Sequence, residues 1–543
     1  MLQSLKTHWQ QGVDTLSRRE LFRWSALLTL PVLFRDEAVA AAPAAATAEG
    51  LRTGKDIYRS IGVRPLINAR GTFTIISGSL MLPEVRAAID AAAQQHVHLD
   101  ELTAAIGARL AELTKAEWGM VSSGCAAGLT HATAACVAGG NPDLHVRIPN
   151  LSGFPKDEVI IPKHSRNVYD AAVRAVGVRV IEVGTGEELD AAFGPRTAMV
   201  YILAGPDADE GPLSTRAIAS VARQKRVPVL VDAAAEILTV PNVHLENGAT
   251  LVGYSGGKCL RGPQSAGLLL GRKDLVQAAW VHSAPHHGFA RSMKVGKEEA
   301  IGMLMAVEMW ARRDHKAEWN RWLSWLDDIA KQVSRIDGVT TSVTETTELS
   351  NRTPSLSIRW DPKRLGITGA ALARYLMDTE PRIATPGGRD RDGESSISIT
   401  PYQMSPGDEK IVAERIYATL SSPPSSTRLG PPAPMAAPTV DVSGQWDVHV
   451  EYIASTSTHT LHLRQTGNRV EGTHQGDFVS RDLSGTIDGN RVQFSSSYTE
   501  RHGDALSFRF IGTVTGNEMA GALDMGEYLA GQWSATRHDY RRG

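Results

Sequence analysis

Cysteine is nearly missing from this sequence: Cys125, Cys136 and Cys259 are the only three in 543 residues. So few, so scattered, exclude a disulfide framework and a thiolate zinc site. Neither charge is in excess, with 57 Lys and Arg against 59 Asp and Glu, so the basic footprint of a nucleic-acid partner is absent. Long apolar runs are lacking too. The run at 24–34 is too short to span a bilayer, and no other stretch qualifies. His282, His286 and His287 have no paired acidic ligand in sequence, so no metal site is assigned. What remains is a hydrophobic fraction of 42%, enough to fill the cores of a soluble globular protein. The length allows three or four domains.

The N-terminus reads as an address. Ser17-Arg18-Arg19-Glu20-Leu21-Phe22-Arg23 precedes the apolar run, and Ala38-Val39-Ala40 offers small residues for cleavage. Charged segment, apolar segment and A-x-A site in that order make a signal peptide, with paired arginines in the twin-arginine position. Residues 1–50 are therefore set aside as signal and Ala-rich spacer. The mature chain is expected in the periplasm or outside the cell.

Residues 251–271, LVGYSGGKCLRGPQSAGLLLG, are the stretch around which the chain is organised. Two apolar runs flank a glycine turn that presents Lys258. Such a turn between buried strands desolvates the amine and readies it to form a Schiff base. Upstream, strands alternate with helices: strands at 117–121, 158–162, 178–183, 197–203 and 227–232, helices at 82–115 and 214–226. That alternation predicts a mostly parallel sheet with helices on both faces, and sites beyond the strands' carboxyl ends. Ser122, His164, Asp232 and Lys258 each fall at such an end. One ligand suits all four, a phosphorylated pyridine aldehyde. Lys258 is the amine for its carbon, Asp232 the carboxylate for its ring nitrogen, and His164 a flat group for its face. Ser122, Ser123, Gly124, Cys125 and Ala126, with Ser255, form a phosphate cradle at a strand-to-helix turn.

Several stretches also carry a family resemblance: Ile67-Asn68-Ala69-Arg70-Gly71-Thr72, Val121-Ser122-Ser123-Gly124, His164-Ser165-Arg166-Asn167-Val168-Tyr169-Asp170, Val231-Asp232-Ala233-Ala234-Ala235-Glu236 and Ser255-Gly256-Gly257-Lys258. Arg261-Gly262-Pro263-Gln264 and Met293-Lys294-Val295-Gly296-Lys297-Glu298-Glu299 extend it. Residues 57–420 resemble the selenocysteine-synthase-like and D-glucosaminate-6-phosphate ammonia-lyase-like branch of fold-type-I pyridoxal-phosphate (PLP) enzymes. The resemblance implies PLP as cofactor and a homodimer or higher oligomer with shared active sites. It also implies an amino acid or amino sugar acid as substrate, and α,β-elimination as the reaction. A PLP-dependent racemase or aldolase is the enzyme alternative; a non-catalytic binding protein keeping the fold is the other. Export and the lack of a basic N-terminal domain disfavour a tRNA substrate. Asn68, Arg166, Arg261, Arg291 and Arg382 are the candidates for holding substrate, Arg382 as the fork for its carboxylate. One departure stands out: related enzymes carry a glutamine three residues after the aspartate, where this chain has Ala235.

The expected domains are a PLP-binding large domain at 51–335, a small α+β domain at 336–420, and a Pro/Ser-rich linker at 421–439. Trp310, Trp319, Trp322 and Trp325 are placed on one long helix as core or interface. Short alternating runs at 440–543, broken by Gly, Asn and Asp, predict an antiparallel β barrel or sandwich with no catalytic set. The address itself is testable. Replacing Arg18 and Arg19 together by Lys should leave the precursor in the cytoplasm when cell fractions are assayed, and undiminished export would reject twin-arginine routing.

Overall fold

The computed structural model describes residues 50–391, 393–427, 434–500 and 505–540. The expected signal peptide and spacer lie outside these residues except for Gly50. Residues up to Val63 belong to one compact unit and those from Arg64 onward to a second. In the first, the described part holds a single 3-10 turn at Arg59–Ile61.

The second unit is built on a seven-stranded sheet: β1 Trp118–Ser122, β2 Glu158–Pro162, β3 Arg179–Val183, β4 Thr197–Leu203, β5 Val229–Asp232, β6 Leu251–Ser255 and β7 Gly267–Gly271. Its order is β1-β7-β6-β5-β4-β2-β3. Neighbours from β3 to β6 run parallel, while β7 is antiparallel to both β6 and β1. Alternate residues feed two cores, one on each face. Val200, Ile202 and Val231 enter one; Met199, Tyr201 and Leu230 enter the other. A sheet covered on both faces needs apolar residues at every position, which is why these strands read as unbroken apolar runs.

Helices α1 Pro83–Ala93 and α2 Leu99–Thr114 precede the sheet, and α3 Gly124–Ala138 follows β1 directly. The Ala-rich α3 is buried along nearly its whole length, because small side chains let it sit close under the strands. The tryptophans expected on one helix lie on two. Trp310 is on α4, Lys297–Arg312, and the other three on α5, His315–Val333. Asp314 breaks the run by capping α5, accepting from the Ala317 amide at 2.9 Å.

A second sheet comes next: β8 Val339–Thr344, β9 Ser355–Trp360, β10 Arg389–Arg391 and β11 Glu394–Ile399, in antiparallel order β10-β11-β9-β8. Its core takes Leu326, Ile329 and Val333 from α5, so this layer recruits chain from well before residue 336. It also takes a short strand from the chain's start, Ile67–Asn68, parallel to Ile383–Ala384. Beyond the linker, eight strands from β12 Gly444–Glu451 to β19 Ala530–Arg537 form a closed antiparallel barrel. Closure settles barrel over sandwich, since β12 pairs with β19 from Trp446↔Arg537 to Glu451↔Gln532.

Candidate active site

The glycines before Lys258 are there because nothing larger fits. A Cβ on Gly256 would lie 2.7 Å from the Ala266 carbonyl oxygen, and one on Gly257 2.8 Å from Gln264 Cα. Lys258 thus rides a turn packed against the loop leading to β7. The start of β7 is as tight against the cradle: a Cβ on Gly267 would meet the Gly124 carbonyl carbon at 2.5 Å. Gly124 itself has φ +80°, a left-handed conformation that opens α3 sharply. Ser123 makes no side-chain cap, so the first amides of α3 keep their N–H groups for a ligand. Ser122 plays a different part from the one expected. It is fully buried and its hydroxyl donates to the Gly124 carbonyl at 2.8 Å, closing the turn from beneath.

Asp232 ends β5 and is buried. Its Oδ2 accepts from the Tyr201 hydroxyl at 3.0 Å, and its Oδ1 from the Ala234 amide at 3.1 Å and the Cys125 thiol at 3.5 Å. Asn167 in turn donates to the Tyr201 oxygen at 3.0 Å. Burial pushes the Asp232 carboxyl up, against the hydrogen bonds and the Lys258 charge that draw it down. Burial likewise pushes up the Cys125 thiol, with the Asp232 charge adding to it. His164 sits on a 3-10 turn after β2, its Nε2 buried without a partner and its pKa lowered by burial.

No family model matches the chain. Among curated proteins it is 30% identical over 372 residues to D-glucosaminate-6-phosphate ammonia lyase of Salmonella typhimurium, covering 66% of this chain and 94% of that one. This chain belongs to the D-glucosaminate-6-phosphate ammonia-lyase-like branch of the fold-type-I PLP enzymes. A solved structure of D-glucosaminate-6-phosphate ammonia-lyase matches with a TM-score of 0.60 at 27% identity, over 67% of this chain and 98% of that one. A 5'-C-glycyluridine monooxygenase-decarboxylase of Streptomyces is 31% identical over 385 residues, 68% of this chain and 94% of its own. An L-seryl-tRNA(Sec) selenium transferase of Moorella thermoacetica is 27% identical over 270 residues, 43% of this chain and 53% of its own.

The residues present fit the cofactor of fold-type-I enzymes. An uncapped helix start suits its phosphate, and a buried carboxylate suits a cationic ring nitrogen, which would supply the charge Asp232 lacks. The His164 imidazole, with its Nε2 buried and without a partner, suits a ring face. Sequence reasoning missed Tyr201 and Asn167, which orient Asp232. Tyr201 reads as one more apolar residue in a buried strand; it pairs with Leu230, and only its hydroxyl's bond to Asp232 gives it away.

The candidates for holding substrate separate by their partners. Arg166 is enclosed by Asp170, at 2.5 Å, and Glu182. Breaking so buried a pair costs about 3–5 kcal/mol, so Arg166 braces the turn carrying His164. Asn68 spends its amide on the loop 68–78, accepting from Arg70 and Gly71 and donating to the Gly71 and Gly78 carbonyls. Arg382 donates to the Met377 and Arg64 carbonyls, and Arg291 to those of Pro285 and His286. Arg261 differs. It lines a cavity of about 670 Å³ with Trp310, Trp319, Trp322, Arg352 and Tyr402. Both amide atoms of Gln403, another lining residue, are buried without a partner. The cavity includes Cys259 but not Lys258, Asp232 or His164, so it adjoins the lysine turn. Among the described residues no group of His, Cys, Asp or Glu is arranged to hold a metal, and no helix is long and apolar enough to cross a membrane.

Asp232 sets a pH dependence. Its folded pKa lies above its ordinary 3.8, so the stability tied to its protonated form is complete below that value and lost as pH rises through the folded one. In cofactor-free protein, Asp232→Asn should therefore lose less stability than wild type on going from acid to neutral pH. Urea unfolding across that range checks it, and parallel curves would contradict it.

Proposed function

We propose that this protein is an exported PLP-dependent lyase that acts on an amino acid or amino sugar acid by α,β-elimination, working as a homodimer or higher oligomer. One observation carries the reading: a buried carboxylate, Asp232, held by Tyr201 and the Ala234 amide at a strand end within reach of the Lys258 charge. Similarity to an ammonia lyase over 94% of that enzyme's length supports the reaction class.

In this reading Lys258 holds the aldehyde carbon of PLP, the first amides of α3 and Ser255 its phosphate, Asp232 its ring nitrogen and His164 one ring face. Bound there, PLP supplies an electron sink for the pair left on the substrate's α-carbon. Asp232, fixed by Tyr201, keeps a proton on the ring nitrogen. Lys258 would take the substrate's α-proton at Nζ. A β-hydroxyl then leaves as water, and water returns in hydrolysis, so a β-hydroxy amino acid yields a 2-oxo acid and ammonium. The cavity beside the lysine turn suits a polyhydroxylated body, with aromatic walls for its carbon faces and the Gln403 amide for a hydroxyl. Arg261 and Arg352 suit an anionic group on it.

The monooxygenase-decarboxylase relative favours a second reading, loss of the α-carboxylate instead of the α-proton. Substrate exchange in deuterium oxide distinguishes them. Elimination predicts α-deuterium incorporation and ammonium release by the wild type. Asp232→Asn should keep the cofactor's colour yet lose about 10²-fold or more in α-exchange, the usual scale of such electrostatic and acid–base effects. Carbon dioxide release without α-exchange would favour decarboxylation, and equal exchange by both proteins would make Asp232 merely structural.

A further inference from the structure

The barrel is closed at one end and chemically unfinished at the other. Turns at 467–468, 489–490 and 516–517 lie at the first end, and the incoming chain seals it. The Ala436 amide donates to Asp488, and the Thr439 amide to the Gly489 carbonyl. Trp446, Val470, Ile487, Val492, Val514 and Met519, none more than 2% exposed, fill the interior behind it. The connections at 452–455, 476–479 and 525–529 lie at the opposite end, because antiparallel strands alternate in direction. Here Ile453, Phe478 and Leu529 are 71%, 97% and 61% exposed, an apolar rim turned to water.

Inside that rim the lining turns polar. His474 bonds Ser496 at 2.7 Å and His459 at 2.9 Å, and His459 reaches Ser457 at 2.9 Å. Asp477 lies 3.6 Å from His459. Arg481 is 7% exposed, and its Nε and Nη1 are buried without any partner. Its guanidinium lies 4.8 Å from the centroid of the Phe508 ring. Phe508 also walls a cavity of about 330 Å³ with Tyr452, Ile453, Leu506, Met525 and Tyr528. A buried guanidinium with idle donors is costly unless an anion meets it. Arg481 does not itself line this cavity; Phe508, under its guanidinium, is the side chain the two share. Asp477 and Glu500 act on that guanidinium by charge alone and leave its Nε and Nη1 unbonded. An apolar cavity with one charged group just beyond its wall is how small-molecule sites are built.

We propose that the barrel mouth is a ligand site, separate from the PLP site, for a small organic anion: a carboxylate-like head on Arg481 and an apolar body among Ile453, Leu506, Phe508 and Met525. The site rests on the barrel alone and stands whether or not the catalytic reading does.

Calorimetric titration of the full-length protein with octanoate, and with octanol as its neutral counterpart, tests this. Octanoate should bind saturably at one site per chain and more tightly than octanol. Arg481→Met should weaken octanoate at least about tenfold, the scale of a lost charged hydrogen bond, and leave octanol unchanged. Phe508→Ala should weaken both. Since Arg481 has idle buried donors, the Met variant should match or exceed wild type in thermal stability, which a purely structural arginine would not allow. No saturable octanoate binding, equal affinity for the two probes, or octanoate binding unaffected by Arg481→Met would each overturn the proposal.

Discussion

Asp232 is the constraint on which the large domain turns. A buried carboxylate at the end of a sheet covered on both faces survives only where donors reach it and a positive charge is close. Tyr201 on the neighbouring strand, the Ala234 amide beyond β5 and the Cys125 thiol at the start of α3 are those donors. Three separate elements are therefore fixed around one side chain. The same placement sets the helix start that suits a phosphate beside the strand end that suits a pyridine nitrogen.

Close backbone approach fixes the lysine turn. Gly256, Gly257 and Gly267 lie where a Cβ would strike the main chain of the loop before β7 or the opening of α3. Lys258 is consequently presented by a turn with little freedom to drift from Asp232. Arg166, tied to Asp170 and Glu182, does the same for the turn that carries His164. Reactive groups need supports of this kind, because a side chain free to sample many rotamers spends little time in a productive one.

Much of this was legible in the sequence, for identifiable reasons. Unbroken apolar strands such as 197–203 announce a sheet buried on both faces, and the residues ending them announce the site. What stayed hidden depends on register and on tertiary partners. Tyr201 looks like core until it is seen beside Asp232. Asn68, Arg166, Arg291 and Arg382 read as substrate ligands in sequence, which could not show their bonds to nearby carbonyls or carboxylates. The break between Trp310 and Trp319 was missed because an aromatic stripe at helical spacing hides a capping aspartate inside it. In the barrel, period-two patterning revealed the strands, but an arginine facing inward at Arg481 is indistinguishable in sequence from one facing out.

The central claim is that Lys258 carries the cofactor. Borohydride reduction of the PLP-loaded protein, followed by peptide mapping, tests it most directly. The account predicts one pyridoxyl label per chain, on the peptide containing Lys258, and none in Lys258→Ala. A label on another lysine, or no label on protein shown to be folded and supplied with PLP, would contradict it.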